Sequence, residues 1–253
     1  MTERKHPKFK TRLARTAEEL RAAQALRYTV FVEELGGTGA GVCHDKRLET
    51  DEFDPHFDHL LLTDEEQGGS VVGVYRLATQ EQAKAAGRFY TDDEYDLAPL
   101  LASGRKLLEL GRSCVHRDYR GGPAMFHLWT ALAAYVEERA IDVLFGTASF
   151  HGTDLTAHAP ALSLLHAAHL APSELRVRSR AFEAMDLIAA NAVDRPSAMR
   201  EMPPLIKAYL RLGGTVGEGA FIDHAFNTID VCLILDTLRL NERQRGLYSR
   251  AQT

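Results

Sequence analysis

The sequence predicts a mixed α/β fold, a central sheet flanked by helices, on three observations. Residues 107–115, a helix opening near Pro123 and residues 142–150 form a strand–helix–strand run, the crossover that sets two strands parallel. Residues 59–63 and 70–78 flank a Glu-Glu-Gln-Gly-Gly turn and read as an antiparallel hairpin. Thr16-Ala17-Glu18-Glu19 is a capping box ahead of apolar residues spaced by three and four, the mark of a half-buried helix.

In chain order, residues 9–15 open as a strand, and the capped helix runs through Leu20, Ala23, Leu26 and Arg27 toward Phe31. Gly36 to Gly41 break the pattern, and an acidic loop follows from Glu49 to Pro55. After the hairpin, residues 80–86 make a short helix. The strand at 107–115 ends in Arg117-Asp118-Tyr119-Arg120-Gly121-Gly122-Pro123, where proline suits a first helical turn because its missing N–H costs nothing there. That helix runs to about residue 140. Residues 159–170 form another, Pro203-Pro204 opens a short one to Leu212, and residues 221–235 are strand-like. With no internal repeat, residues 1–253 read as one domain, a core over 8–170 with a C-terminal elaboration over 171–253 packed on it.

At 253 residues and 45% hydrophobic content the chain can bury a large core. A formal net charge of -5 argues against nucleic acid as the main ligand, since phosphate-tracking proteins carry a basic excess. The first fifteen residues are basic nonetheless, with Arg4, Lys5, Lys8, Lys10, Arg12 and Arg15 against Glu3. Three cysteines without a CxxC pair fit a reducing compartment and neither a disulfide framework nor a zinc site. No apolar run has the length of a signal or transmembrane segment, so the expected location is the cytoplasm, with peripheral contact to the membrane open.

Several groups stand out chemically. Glu109 and Arg112 lie in an apolar strand and face opposite sides unless a bulge intervenes near Gly111; a structural ion pair is the plain alternative to function. Tyr119-Arg120-Gly121-Gly122, between strand and helix, suits phosphate oxygens, or is a simple turn. Asp51 and Asp54 suit a cationic substrate, or belong to a solvated loop. Arg27, on the first helix, and Arg76, inside a strand, want anionic partners, from the protein or from a ligand. His166 and His169 complete no metal pattern, no GxSxG elbow marks a serine nucleophile, and Cys114 reads as a buried structural thiol.

Together these features resemble the GNAT acyltransferase superfamily, with its strand, helix, hairpin, long strand, Tyr-Arg-Gly turn and helix. The first half resembles the acyl-homoserine-lactone synthases through Arg27 with Val30-Phe31, Asp51-x-x-Asp54, Arg76 in Gly-x-Tyr-Arg-Leu, and Glu109-Leu-Gly-Arg112. The second half is similar to a sister family, the bacterial L-ornithine Nα-acyltransferases. The carrying segments are the run from Phe145 through Ser149 to Gly152, the Pro203-Pro204-Leu205-Ile206-Lys207 segment and Phe226-Asn227-Thr228-Ile229-Asp230. The resemblance covers residues 10–240. It implies transfer of a 3-hydroxyacyl group from acyl carrier protein to ornithine, giving lyso-ornithine lipid. The alternatives are a lactone-forming synthase using S-adenosylmethionine and a non-catalytic carrier-binding module.

By that resemblance Glu109, its pKa raised by burial, is the expected general base, and backbone N–H groups along Ser113, Cys114 and Val115 the oxyanion donors. Arg27, Phe31, Asp51, Asp54, Arg76, Arg112 and Ser149 are the expected substrate residues, with the two aspartates either holding a distal ammonium or ordering the loop. Arg117, Tyr119, Arg120, Gly121 and Gly122 would take phosphopantetheine. Where coenzyme A-using relatives continue with alternate glycines this chain has Pro123 and Met125, which fits the single phosphate of a carrier-bound group. No cofactor or metal of its own is expected. The acidic carrier protein would dock on the basic N-terminus or on Arg176, Arg178 and Arg180, expected on one strand face.

Overall fold

The apolar runs pair into a mixed sheet of eight strands. The computed structural model describes residues 6–240; Arg4 and Lys5 of the basic N-terminus lie outside them. Along the chain come β1 (Phe9–Leu13), α1 (Ala17–Arg27), a π-helix (Tyr28–Glu34), β2 (Val42–Cys43), β3 (Leu48–Glu49), β4 (Asp58–Asp64) and β5 (Ser70–Thr79). Next are α2 (Gln80–Ala86), β6 (Tyr95–Asp96), α3 (Ala98–Ala102), β7 (Leu107–Val115), α4 (Ala124–Arg139), β8 (Val143–His151) and α5 (Ala159–His169). The chain continues with β9 (Arg178–Ser179), α6 (Arg195–Glu201), α7 (Pro204–Arg211), β10 (Thr215–Val216), β11 (Phe221–Asp223) and β12 (Thr228–Asp236).

The chain forms two compact units, and β7 contributes to both, its residues through Glu109 to one and those from Leu110 to the other. In the unit made of the chain up to Ala78 and Leu110–Ala140, the strand order is β1-β4-β5-β7. Both α1 and α4 pack on β4, so its Leu60, Leu61 and Leu62 are all buried and the alternation of a half-exposed strand is lost. The approach of α4 needs Gly73: a Cβ there would come within 2.9 Å of Leu128 Cδ1 and 3.2 Å of Leu62 Cβ. Ala23, Leu26, Val30, Leu61, Val74 and Cys114 form a core cluster, with Phe31 half-buried against it. The Thr16 hydroxyl accepts from Glu19 N–H as the capping box requires, but the Glu19 carboxylate turns to Arg15 N–H and Arg12 instead of closing the box.

Of the described residues, the other unit comprises Thr79–Glu109 and 141–240, so it holds residues 171–240 together with β8 and α5. Leu107, Leu108 and Glu109 pair in parallel with Val143, Leu144 and Phe145, the crossover foreseen above. β12 runs antiparallel to β8 along its whole length, from Thr228 opposite His151 to Asp236 opposite Val143. β10 and β11 pair with β12, α5 packs on β10 and α6, and α7 packs on β12.

Four local readings change. The first helix widens at Tyr28 into a π-helix that carries Phe31. Pro123 stands at the N-cap of α4, one place earlier than expected. Residues 221–235 are two strands, not one. Asp223 turns the chain by accepting from Ala225 and Phe226 N–H, and Asn227 takes the left-handed conformation at φ +54. Arg176, Arg178 and Arg180 do not share a strand, because β9 is only Arg178–Ser179.

Candidate active site

Arg27 is fully buried on α1, and burial of a guanidinium is tolerable only when its donors are met. They are. Nε donates to Glu49 Oε2 at 2.5 Å, Nη1 and Nη2 to the two Asp54 oxygens at 2.7 and 2.8 Å, and Nη2 also to the Glu49 carbonyl at 2.7 Å. Arg76, from β5, donates to both Asp51 oxygens at 2.5 Å and to Asp54 Oδ1 at 3.0 Å. Its guanidinium lies over the rings of Phe53 and Phe57. Arg112, from β7, reaches Glu49 Oε1 at 3.2 Å and Asp51 Oδ2 at 3.1 Å. Gln24 adds a donor to Asp54, and His59 Nε2 donates to the Asp54 carbonyl at 3.1 Å.

Three guanidinium groups thus face three carboxylates. Burial by itself would raise the Asp54 carboxyl, but the hydrogen bonds and charge of Arg27, with Arg76 behind, hold it below the usual carboxylate range. Burial lowers Arg27, and the charges of Glu49 and Asp54 more than restore it. Of the two readings open for Asp51 and Asp54, this geometry favours ordering of the loop, since their oxygens go to arginines of the same unit. Glu49 is the member that sequence reasoning passed over, because it reads as the first charge of a solvated run.

Glu109 is also buried, and both of its oxygens are held by backbone. Tyr90 N–H donates to Oε2 at 3.1 Å and Thr91 N–H to Oε1 at 2.6 Å, from the turn Tyr90–Asp93. Three residues on, Arg112 has φ +48, a left-handed conformation that is rare for arginine. This is a backbone irregularity beside Gly111, where alternation left a bulge open. Cys114 sits in the core cluster with its thiol pushed up to about 12 by burial, which suits a structural thiol and not a nucleophile.

At the strand-to-helix turn the side chains are committed. Tyr119 hydroxyl donates to Asp64 Oδ2, while Arg120 donates from Nε to the Val115 carbonyl and pairs with Glu34. Gly121 has φ +74, and Arg117, Gly121 and Gly122 are exposed ahead of α4. Ser149 is exposed on β8, opposite Asp230 of β12. Arg178 pairs with Glu218 and Arg180 with Asp92, while Arg176 donates to the Ala171 carbonyl.

Residues 26–130 match a family model described as an acetyltransferase (GNAT) domain. An L-ornithine N(alpha)-acyltransferase of Rhodobacter capsulatus is 58% identical over 246 residues, 96% of this chain and 95% of that protein. The L-ornithine N(alpha)-acyltransferase of Brucella abortus is 42% identical over 248 residues, 95% of this chain and 88% of that protein. Among solved structures, a CoA-dependent acyl-homoserine lactone synthase aligns with a TM-score of 0.52 at 16% identity, covering 93% of this chain and 82% of that one. That last likeness is one of fold, and it bears out the architecture expected from the sequence.

Proposed function

We propose a reaction for a chain that belongs to the L-ornithine N(alpha)-acyltransferase family and is an acyltransferase on the GNAT fold: it moves a 3-hydroxyacyl group from acyl carrier protein to the α-amine of L-ornithine. The observation that carries this reading is 58% identity along nearly the whole of both chains. The product is lyso-ornithine lipid.

In this reading Glu109 takes a proton from the α-ammonium, directly or through one water. The neutral amine attacks the thioester carbon, and backbone N–H groups along Ser113–Val115 donate to the oxyanion. That attack forms the C–N bond; collapse of the tetrahedral intermediate breaks the C–S bond, and the second proton that the nitrogen sheds passes to the leaving phosphopantetheine thiolate. The turn at Arg117–Gly122 takes the single phosphate of the carrier's arm. Pro123 at the N-cap gives that turn one donor fewer, which supports a carrier protein over coenzyme A as donor. The paired state of Arg178 and Arg180 favours the basic N-terminus, with Lys8 and Lys10 exposed, as the carrier's dock. Among the described residues no helix is long and apolar enough to cross a membrane. We place the enzyme in the cytoplasm, in peripheral contact with the membrane that receives its product.

The test is to incubate the purified protein with 3-hydroxyacyl carrier protein and ornithine, follow thiol release and weigh the product. Ornithine-dependent release with an Nα-acylated product is expected. Release supported only by S-adenosylmethionine would overturn the reading in favour of lactone synthesis.

A further inference from the structure

Three carboxylates outside the arginine cluster come together in the unit that holds Glu109. Glu94 follows the turn Tyr90–Asp93, Asp223 ends β11, and Asp230 lies in β12. One oxygen of each lies within 4.8 Å of the other two. Glu94 and Asp230 are buried and Asp223 is half-buried. Carboxylates at that spacing in a protein interior favour a positive charge among them.

A second observation points into the same place. Thr228 stands directly opposite Asp223 in the β11–β12 register and two residues before Asp230, so the three side chains share one face of the sheet. Thr228 is only 8% exposed, and its hydroxyl has no hydrogen-bond partner among the described residues. Backbone holds the group in shape. Ala225 and Phe226 N–H fix the Asp223 carboxylate, and the Tyr95 hydroxyl donates to the carbonyls of Asp230 and Gly219. Burial pushes the Tyr95 hydroxyl well above its ordinary range, with Cys232, Glu94 and Asp230 adding to the effect.

The dimensions suit an alkylammonium. Three N–H donors in tetrahedral array, with charge-assisted bonds of about 2.8 Å, put their acceptors about 4.6 Å apart. Glu94 also stands three residues past Thr91, whose N–H holds Glu109. A 3₁₀ turn advances about 2 Å per residue, so the backbone of Glu94 follows that of Thr91 by roughly 6 Å and the two carboxylates belong to one short stretch of the fold.

Resting on the acyl-transfer reading above, we infer that Glu94, Asp223 and Asp230, with the Thr228 hydroxyl, hold the distal ammonium of a diamino acid acceptor and so direct acylation to its α-amine. Surrounding carboxylates keep that distal amine protonated and therefore non-nucleophilic. Glu109 of β7, held by N–H groups at the start of the same turn, is left to deprotonate the α-ammonium. Regiochemistry then follows from placing one carboxylate at the reacting nitrogen and three at the other.

The experiment compares L-ornithine with L-norvaline, the same carbon skeleton without the distal nitrogen, as acceptors for 3-hydroxyacyl carrier protein. Wild type is compared with Asp230→Asn and with the half-buried Asp223→Asn, each checked by thermal melting. Wild type is expected to favour ornithine by roughly 30-fold or more in kcat/KM, and either substitution to reduce that preference by about the same factor. An equal loss toward both acceptors, leaving the ratio intact, is the mark of a structural role and overturns the site. So does a wild type without preference. Calorimetric titration of ornithine and norvaline covers the cases of no turnover. If wild type acylates no amino acid, the acyl-transfer reading fails, yet ornithine-selective binding lost in Asp223→Asn still upholds the ammonium site. Equal binding of the two amino acids overturns it. Dialysis against EDTA is expected to leave activity intact; loss restored by calcium or magnesium would make the cluster a metal site and overturn the inference.

Discussion

Arg27 and Asp54 meet as a two-pronged pair, Nη1 to Oδ1 at 2.7 Å and Nη2 to Oδ2 at 2.8 Å, 27 residues apart in the chain. Both are buried, so neither charge has water to fall back on. Asp54→Ala leaves buried Arg27 with Glu49 alone and takes from Arg76 one of its three hydrogen bonds to these aspartates, and should cost about 3 kcal/mol of stability. Loss of Asp93, paired with Arg88 at the surface, should shift the denaturation midpoint little. Urea unfolding of the two variants beside wild type checks the contrast.

Acid should weaken the fold in two stages. His59 is held below its ordinary 6.5 by burial, so the unfolded chain takes up that proton first. The contribution of His59 is complete above about pH 6.5 and declines as pH falls toward the lower folded value. Asp54 is held below its ordinary 3.8, so its contribution is complete above about pH 4 and is lost as pH falls further. His59→Gln, which retains a donor for the Asp54 carbonyl, should flatten the first stage. A residue of it should persist from half-buried His169, which burial lowers in the same direction. Urea midpoints across pH 3–8 measure both stages.

Glu109→Gln is a harsher change than its volume suggests. Tyr90 N–H and Thr91 N–H donate to separate oxygens, so an amide must turn its NH₂ toward one of two donors. Turnover should fall at least 10²-fold, the scale of losing a general base, and the melting temperature should fall with it. Wild-type turnover in a folded Glu109→Gln protein would remove the base assignment.

At Arg112 the backbone and the side chain pull in opposite directions. Removing the side chain forfeits ion pairs to Glu49 and Asp51, whereas φ +48 favours glycine. Arg112→Gly should therefore be less destabilised than Arg112→Ala, by about 1 kcal/mol. Parallel thermal melts decide the order, and the reverse order would mean that the left-handed turn is not kept in the variants.

Features encoded by neighbours in the chain were legible in the sequence. Thr16 reads as a cap because its acceptor lies three residues away, and β4 and β5 read as a hairpin because alternation and turn lie in one window. The parity of Glu109 and Arg112 left two outcomes open near Gly111, opposite faces or a bulge, and the left-handed backbone at Arg112 is not written in that parity. Partnerships were not. Nothing local says that Arg76 will choose Asp51, 25 residues upstream, or that Glu94 will sit beside Asp223 and Asp230. The π-helix follows from a choice among backbone carbonyls that side-chain spacing does not encode. The split at 221–235 had its signal in Asp223 and Asn227, masked by the β-rich residues around them.

The balance of three guanidinium groups against three carboxylates has a consequence for inheritance. Each arginine serves two acids, and the six residues come from α1, β3, the following loop, β5 and β7. A substitution at any one place strands an opposite charge elsewhere, and no single second change restores the count at every contact. Descent with gradual replacement is therefore blocked at these sites. The set should be passed on whole or exchanged whole for apolar packing, and a homologue that keeps five of the six should be the rarest kind.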